Sequence, residues 1–312
     1  MTARILGLHL GVIALLFAAQ FVLPSYHVTN LARIMVLAVF AMGYNIAFGY
    51  TGLLSLGHAL FLAAGMYGAG LPIDHFGAGG GMALILGLLA GGAVAGAVGL
   101  LALRTAGVSF MIVTLMFAQA GYLTLLYLAE WTHGDDGFPV PAAGRRLFGL
   151  PLSDDRIRYA AALILFSVAM LACLALVRSR LGRIMIAMRE NEERSRMLGY
   201  NPFAVKLAAL AISGVYAGAA GAGYALLFGY VGASFAGIQY SILPLLYTLT
   251  GGAGTVLGPL VGTAAIFYLT DIASGLTTAW LMVVGLALVL LTLFAPKGVL
   301  GTLRERWARW LP

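Results

Sequence analysis

Residues 178–206 read RSRLGRIMIAMRENEERSRMLGYNPFAVK and hold ten of the 29 charged side chains in a chain of 312 residues. On either side the chain is almost uncharged: LILFSVAMLACLALV (163–177) precedes it and LAALAISGVYAGAAGAG (207–223) follows. A Lys or Arg at the centre of a membrane helix costs about 2.5–3.5 kcal/mol, so this charged stretch marks a place where the chain has left the bilayer. The whole sequence is 62% hydrophobic and 9% charged, against roughly 25% charged for a soluble domain. Uncharged runs of about 20 residues are the mark of membrane helices. The fold class is therefore all-α, a polytopic transmembrane helical bundle, and the chain is taken as one domain over 1–312.

Ten apolar segments are legible, near 5–23, 32–50, 55–72, 82–103, 108–131, 158–177, 207–231, 240–251, 256–272 and 278–295. After Gly251, TGGAGTVLGP reads either as a loop between two helices or as a break within one. The first run has no small-x-small cleavage site before PSYHVTN and is read as an uncleaved span. With ten spans and the N-terminus inside, thirteen Lys and Arg residues, Arg309 among them, fall on the cytoplasmic side and five outside. That asymmetry makes 178–206 and both termini cytoplasmic. It also accounts for the net charge of +7 without nucleic acid. The one cysteine, Cys173, lies in an apolar run, so no intramolecular disulfide forms.

Small residues recur at helix-packing spacing: Gly87 and Gly91, Gly92 and Gly96, Gly214 and Gly218. Such pairs let backbones approach closely, either within this chain or against another subunit. The charged stretch carries capping signals. Asn191 is an N-cap residue followed by Glu192 and Glu193, where the helix dipole favours acids. Glu192 and Arg196 stand four apart, acid first. Gly199 supplies a stop, and Asn201-Pro202 opens the next helix. A short rigid helix from Glu192 to Leu198 suits a docking surface; a solvated interfacial helix that only satisfies topology would carry the same caps.

Two Gly-broken segments, 45–65 and 249–262, interrupt the bundle. Interrupted membrane helices free backbone groups that only protein or a water-filled cavity can receive, and paired breaks point to a substrate path. The polar candidates there are Asn45, Thr51, Ser55 and His58, and Thr250, Gly252 and Thr255. His58 reads as lying within an apolar helix, bonded to a neighbouring helix or facing the path. Asn45 and Gln119 read as helix-bonding groups. No catalytic constellation, metal-ligand spacing among His9, His27, His75 and His133, phosphate loop or dinucleotide motif is present, so no cofactor is expected. The near absence of ionisable residues from the spans speaks against an ion-coupled secondary transporter.

The segment GRIMIAMRENEERSRMLGYNPFAVKLAALAISGVYAGAAGAGYAL (182–226) resembles the cytoplasmic coupling segment of ABC-importer permeases of the branched-chain amino acid type, close to the M-like member of the permease pair. GYNIAFGYTGLLSLGHALFLAAGMYGAG (43–70), VSFMIVTLMFAQ (108–119), LTGGAGTVLGPLVGTAAI (249–266) and LFAPKGVLG (293–301) follow in that family's order. The outer loop, EWTHGDDGFPVP, keeps only part of the family's Gly-rich pattern. The resemblance implies a bacterial inner-membrane permease paired with a second homologous permease. Two separate ATPase subunits and a periplasmic binding protein would complete the importer. It implies that 178–206 seats on an ATPase, with Arg189, Glu190, Asn191, Glu192, Glu193, Arg196 and Gly199 as coupling residues. Branched-chain or related hydrophobic amino acids are the implied cargo, with urea, short amides and aromatic acids as alternatives.

Overall fold

Each of the ten apolar segments holds one long helix, the fifth also running into a short one, and the charged stretch contains two more. The computed structural model describes residues 2–147, 149–294 and 297–306. The first five helices are α1 (Thr2–Val22), α2 (Ser25–Asn45), α3 (His58–Phe76), α4 (Gly80–Ala102) and α5 (Gly107–Tyr127). The short α6 (Ala129–Thr132) leads to α7 (Asp155–Arg178), α8 (Arg180–Glu190), α9 (Glu192–Met197) and α10 (Pro202–Phe228). The last are α11 (Ile238–Gly251), α12 (Gly258–Leu276), α13 (Trp280–Phe294) and α14 (Gly298–Arg306). Arg309, counted among the basic residues above, lies outside the described residues.

Among the described residues seven helices are long and apolar enough to cross a membrane: α1, α2 with its π-turn extension, α4, α5, α7, α10 and α12. The other apolar segments hold helices that are shorter or less apolar than these. α11 has 14 residues, about 21 Å at roughly 1.5 Å per residue, and α13 has 15. Glycine sets the shortening. α11 ends at Gly252, whose φ of +118° no β-carbon tolerates well. Residues 240–272 are thus two helices, with 252–257 between them. α3 likewise starts at His58 and not at 55, because α2 runs into a π turn at Ile46–Tyr50 and residues 51–57 are non-helical.

α10 is the central rod, packed against α2, α3, α4 and α7. The glycine pairs explain how it fits. A methyl added to Gly91 would lie 2.5 Å from the Gly214 carbonyl and from Gly218 Cα, and one on Gly218 would lie 2.6 Å from the Gly87 carbonyl. Gly87 in turn faces the Gly65 carbonyl of α3. These ridges therefore interlock inside the chain. Gly96 has nothing within 4 Å of an added methyl, so that position faces outward.

The turns gather at two ends. At one end the break at 51–57, the α4–α5 turn, α8 and the start of α10 share a groove lined by Thr51, Arg104, Arg189 and Lys206. At the other end the loop after α6 meets the finish of α10. There β1 (Phe138–Pro139) pairs antiparallel with a strand at Tyr230–Val231, while Arg146–Leu147 pairs with Leu150–Pro151. Arg145 donates through Nε to the Leu226 carbonyl (2.7 Å) and through Nη2 to that of Leu227 (2.8 Å). A cation here meets the negative end of the helix dipole and satisfies carbonyls that lack intrahelical partners. Burial, and then the nearby Arg158 charge, lower the Arg145 pKa from its ordinary value.

Gly91→Ala and Gly218→Ala should each destabilise the bundle by about 1–3 kcal/mol, since the clashing atoms are backbone and cannot turn aside. Gly96→Ala should stay within about 0.5 kcal/mol of the parent, as open positions do. Thermal unfolding of the purified protein in detergent checks the contrast.

Candidate functional site

The two Gly-broken segments lie against each other, and one side chain holds them. Asn45, at the end of α2 and fully buried, donates through Nδ2 to the Thr255 carbonyl (2.9 Å). Its Oδ1 accepts the Gly254 N–H at 2.9 Å. The 252–257 turn has left helical geometry, so its peptide groups need outside partners. A carboxamide offers a donor and an acceptor side by side and fills both needs. Thr255 closes the turn by donating to the Gly252 carbonyl (2.7 Å), and Thr248 reaches the Ala41 carbonyl (3.3 Å).

The first break is satisfied in the same way. Thr51 donates to the Ile46 carbonyl (3.0 Å), and Ser55 accepts the Gly57 N–H (3.1 Å). Two residues that sequence reasoning did not single out complete it: Thr114 accepts the Leu56 N–H (3.1 Å) and Ser241 accepts the Ala59 N–H (3.2 Å). A lone Ser or Thr in an apolar run gives no local sign of the distant amide it will meet. His58 is the first residue of α3, not an interior helical position. Its Nε2 lies 2.7 Å from Ser213 Oγ, and its ring sits 4.6 Å from that of Tyr44 and 5.1 Å from that of Phe61. His58 Nδ1 and Thr250 Oγ1 are buried without a hydrogen-bond partner among the described residues.

Of the seven proposed pathway residues, Asn45, Gly252 and Thr255 are brought together by these bonds. Thr51 lines the groove at the α8 end, whose volume is about 630 Å³. Ser55, His58 and Thr250 are buried in packed protein.

The charged stretch forms two helices where one was expected. α8 begins at Ser179, whose Oγ accepts the Gly182 N–H (3.2 Å), and buries Gly182, Met185 and Met188 on one face. Asn191 then turns the chain into extended conformation, and its Oδ1 caps α9 by accepting the Arg194 N–H (2.8 Å). Gly199, at φ +88°, follows the end of α9, and Asn201 caps α10 with Pro202 in the first turn. The expected Glu192–Arg196 pair is long, 4.0 Å; the tighter partner of Glu192 is Lys206, at 2.5 Å. α9 is thereby tied to the first turn of α10. Met197 and Leu198, at the end of α9, are 81% and 71% exposed. Two apolar side chains held in solvent on a capped helix were legible in the sequence but were not singled out. Arg189 turns away from this surface, and its Nη1 donates to the Gly49 carbonyl.

A model of the family described as branched-chain amino acid transport system, permease component, matches residues 26–293. The chain is similar to the protein named high-affinity branched-chain amino acid transport system permease protein LivM of Salmonella typhimurium strain LT2 and to its namesake in Escherichia coli strain K12. Each is 28% identical over 298 residues, covering 87% of this chain and 69% of the relative. No solved structure matches.

Asn45→Ala should remove both bonds that hold the 252–257 turn to α2, at about 1–3 kcal/mol for each buried bond lost. Asn45→Asp should fail nearly as badly, because an ionised carboxylate has no donor for Thr255. Thermal unfolding reads both. A midpoint unchanged in Asn45→Ala would mean that the clamp contributes nothing.

Proposed function

Because the chain belongs to the family of permease components of branched-chain amino acid transport systems, we propose that it is one permease subunit of an ATP-driven importer for branched-chain or related hydrophobic amino acids. The chain acts as a single transmembrane unit over 1–312, paired with a second homologous permease in a bacterial inner membrane. ATP is hydrolysed by two separate subunits, and a periplasmic binding protein delivers the cargo. The α8–α9 end faces the cytoplasm, with both termini, and residues 132–157 face outward.

The observation that carries this reading is the build of α9. Its backbone is capped, and its acid Glu192 is taken up by Lys206. What remains for a partner is Met197 and Leu198, with Arg194 and Arg196 exposed around them. Apolar side chains ringed by charge on a rigid support are how a docking knob is made. We therefore move the centre of the ATPase contact from Asn191 and Glu192, which hold the helix in shape, to Arg196, Met197 and Leu198. Glu190, Glu193 and Gly199 remain in the coupling segment as flanking positions.

The buried polar set supports transport without ion coupling. Among the described residues it consists of His, Asn, Ser and Thr, with no Asp, Glu, Lys or Arg. An ion-coupled carrier commonly relies on Asp, Glu, Lys or Arg within its spans; in this described set His9 and His58 are the ionisable members. Asn45, Thr51, Ser55, His58, Thr250, Gly252 and Thr255 are proposed to border the pathway, and His58 Nδ1 and Thr250 Oγ1 keep unused hydrogen-bonding capacity there.

Met197→Asp with Leu198→Asp should leave the permease inserted and folded while weakening ATPase attachment by about 2 kcal/mol or more, as loss of an interface anchor does. Co-purification of the ATPase and uptake in proteoliposomes measure it; full retention of both would remove α9 from the interface. For orientation, an impermeant thiol reagent on intact cells should label Asp135→Cys and spare Arg194→Cys. The reverse pattern would invert the topology.

A further inference from the structure

We propose that Arg189 is a positioning strut that joins the coupling helix α8 to both broken segments, so that displacement of α8 is delivered to the 49–52 and 253–254 turns together. This rests on the reading of 178–206 as the joint to the ATPase. The strut exists because of how α2 ends. A continuing helix would send the Leu53 N–H to the Gly49 carbonyl. Here Leu53 N bonds the Ala47 carbonyl instead (2.8 Å), and Gly52 N bonds that of Phe48 (3.0 Å). The Gly49 carbonyl is left to a partner from outside the helix, and the Arg189 guanidinium is that partner.

Three glycines make room for it. A methyl added to Gly52 would lie 3.3 Å from Arg189 Cγ, and one added to Gly254 would lie 3.1 Å from Arg189 Nη1 and 3.2 Å from the Gly49 carbonyl. Gly49 is itself close to the second segment, since its added methyl would lie 2.7 Å from Gly254 N. The guanidinium therefore sits where the two breaks meet. Among the described residues no carboxylate is within ion-pair distance of it. Its function is not charge neutralisation within the chain.

Hollows flank the strut. A cavity of about 370 Å³ lies on one side, bordered by Gly49, Val177, Ile186 and Ala253, and the groove of about 630 Å³ lies on the other; Arg189 lines both. Close packing transmits displacement only where atoms touch. Arg189 lies between these two hollows, beside the buried Met185 and Met188 of α8, and its donor reaches the first break directly. A guanidinium on a carbonyl suits this task, because its planar donor is held in direction as well as distance.

The test uses the full importer in proteoliposomes. Arg189→Met keeps the stem and removes the donors, so uptake should fall about tenfold or more, within the usual range of a coupling free energy. The ATPases should stay attached and hydrolysis should lose its response to the loaded binding protein. Arg189→Lys keeps one charged donor for Gly49 and should restore much of the uptake. Uptake within twofold of the parent in Arg189→Met overturns the strut, provided the Met197→Asp, Leu198→Asp variant is uncoupled; if that variant is also fully active, the joint itself is misassigned and the strut falls with it. A second measurement does not depend on any Arg189 variant assembling. Spin labels at Arg183→Cys on α8 and Ala253→Cys on the turn should keep their separation to about 1–2 Å between nucleotide-free and nucleotide-trapped complexes. A slip of about 5 Å, one helical turn, would show α8 ratcheting past the breaks and would overturn the proposal.

Discussion

A backbone amide inside an apolar bundle has no water to turn to, and the layout of this chain follows from that constraint. Unbroken helices meet it internally. The two broken segments cannot, and so each recruits side chains from far along the chain: Asn45 for the 252–257 turn, Thr114 and Ser241 for the start of α3. These bonds draw α2, α3, α5, α11 and α12 to one locality. Polar residues that look isolated in sequence are the reason the breaks can exist at all.

The same economy governs packing. Lipid offers helices little hydrophobic reason to associate, so contact depends on how closely backbones approach. Gly87, Gly91, Gly214 and Gly218 meet across α4 and α10, and Gly65 of α3 joins them. With three backbones this close, α10 is the element around which α2, α3, α4 and α7 are arranged. The charged stretch hangs from its first turn through the Lys206–Glu192 ion pair.

What the sequence revealed was local. The ten helices follow from runs of apolar residues, and the caps at Asn191, Gly199 and Asn201-Pro202 follow from rules that act within a single turn. What it hid was of two kinds. The separate helix α8 was hidden because nothing in RLGRIMIAMRE announces the extended residue at Asn191; the N-cap signal was legible, but not that a second helix ends there. The links from Arg189 to Gly49, from Asn45 to Gly254 and from Lys206 to Glu192 join residues 140, 209 and 14 positions apart. No periodicity encodes such pairings. Membership in the permease family was legible for the opposite reason: ordered blocks over most of the chain carry it, and no single residue does.

α10 has 27 residues and so measures about 40 Å at roughly 1.5 Å per residue. Both of its ends are held by side chains from other parts of the chain: Arg145 grips its last carbonyls, and Glu192 grips its first turn through Lys206. The loop between α6 and α7 and the α8–α9 segment are thus fastened to the two ends of one helix. Linkage is reciprocal: whatever free energy a visitor on one face contributes by favouring one setting of that rod is available, in equal measure, to an occupant of the opposite face.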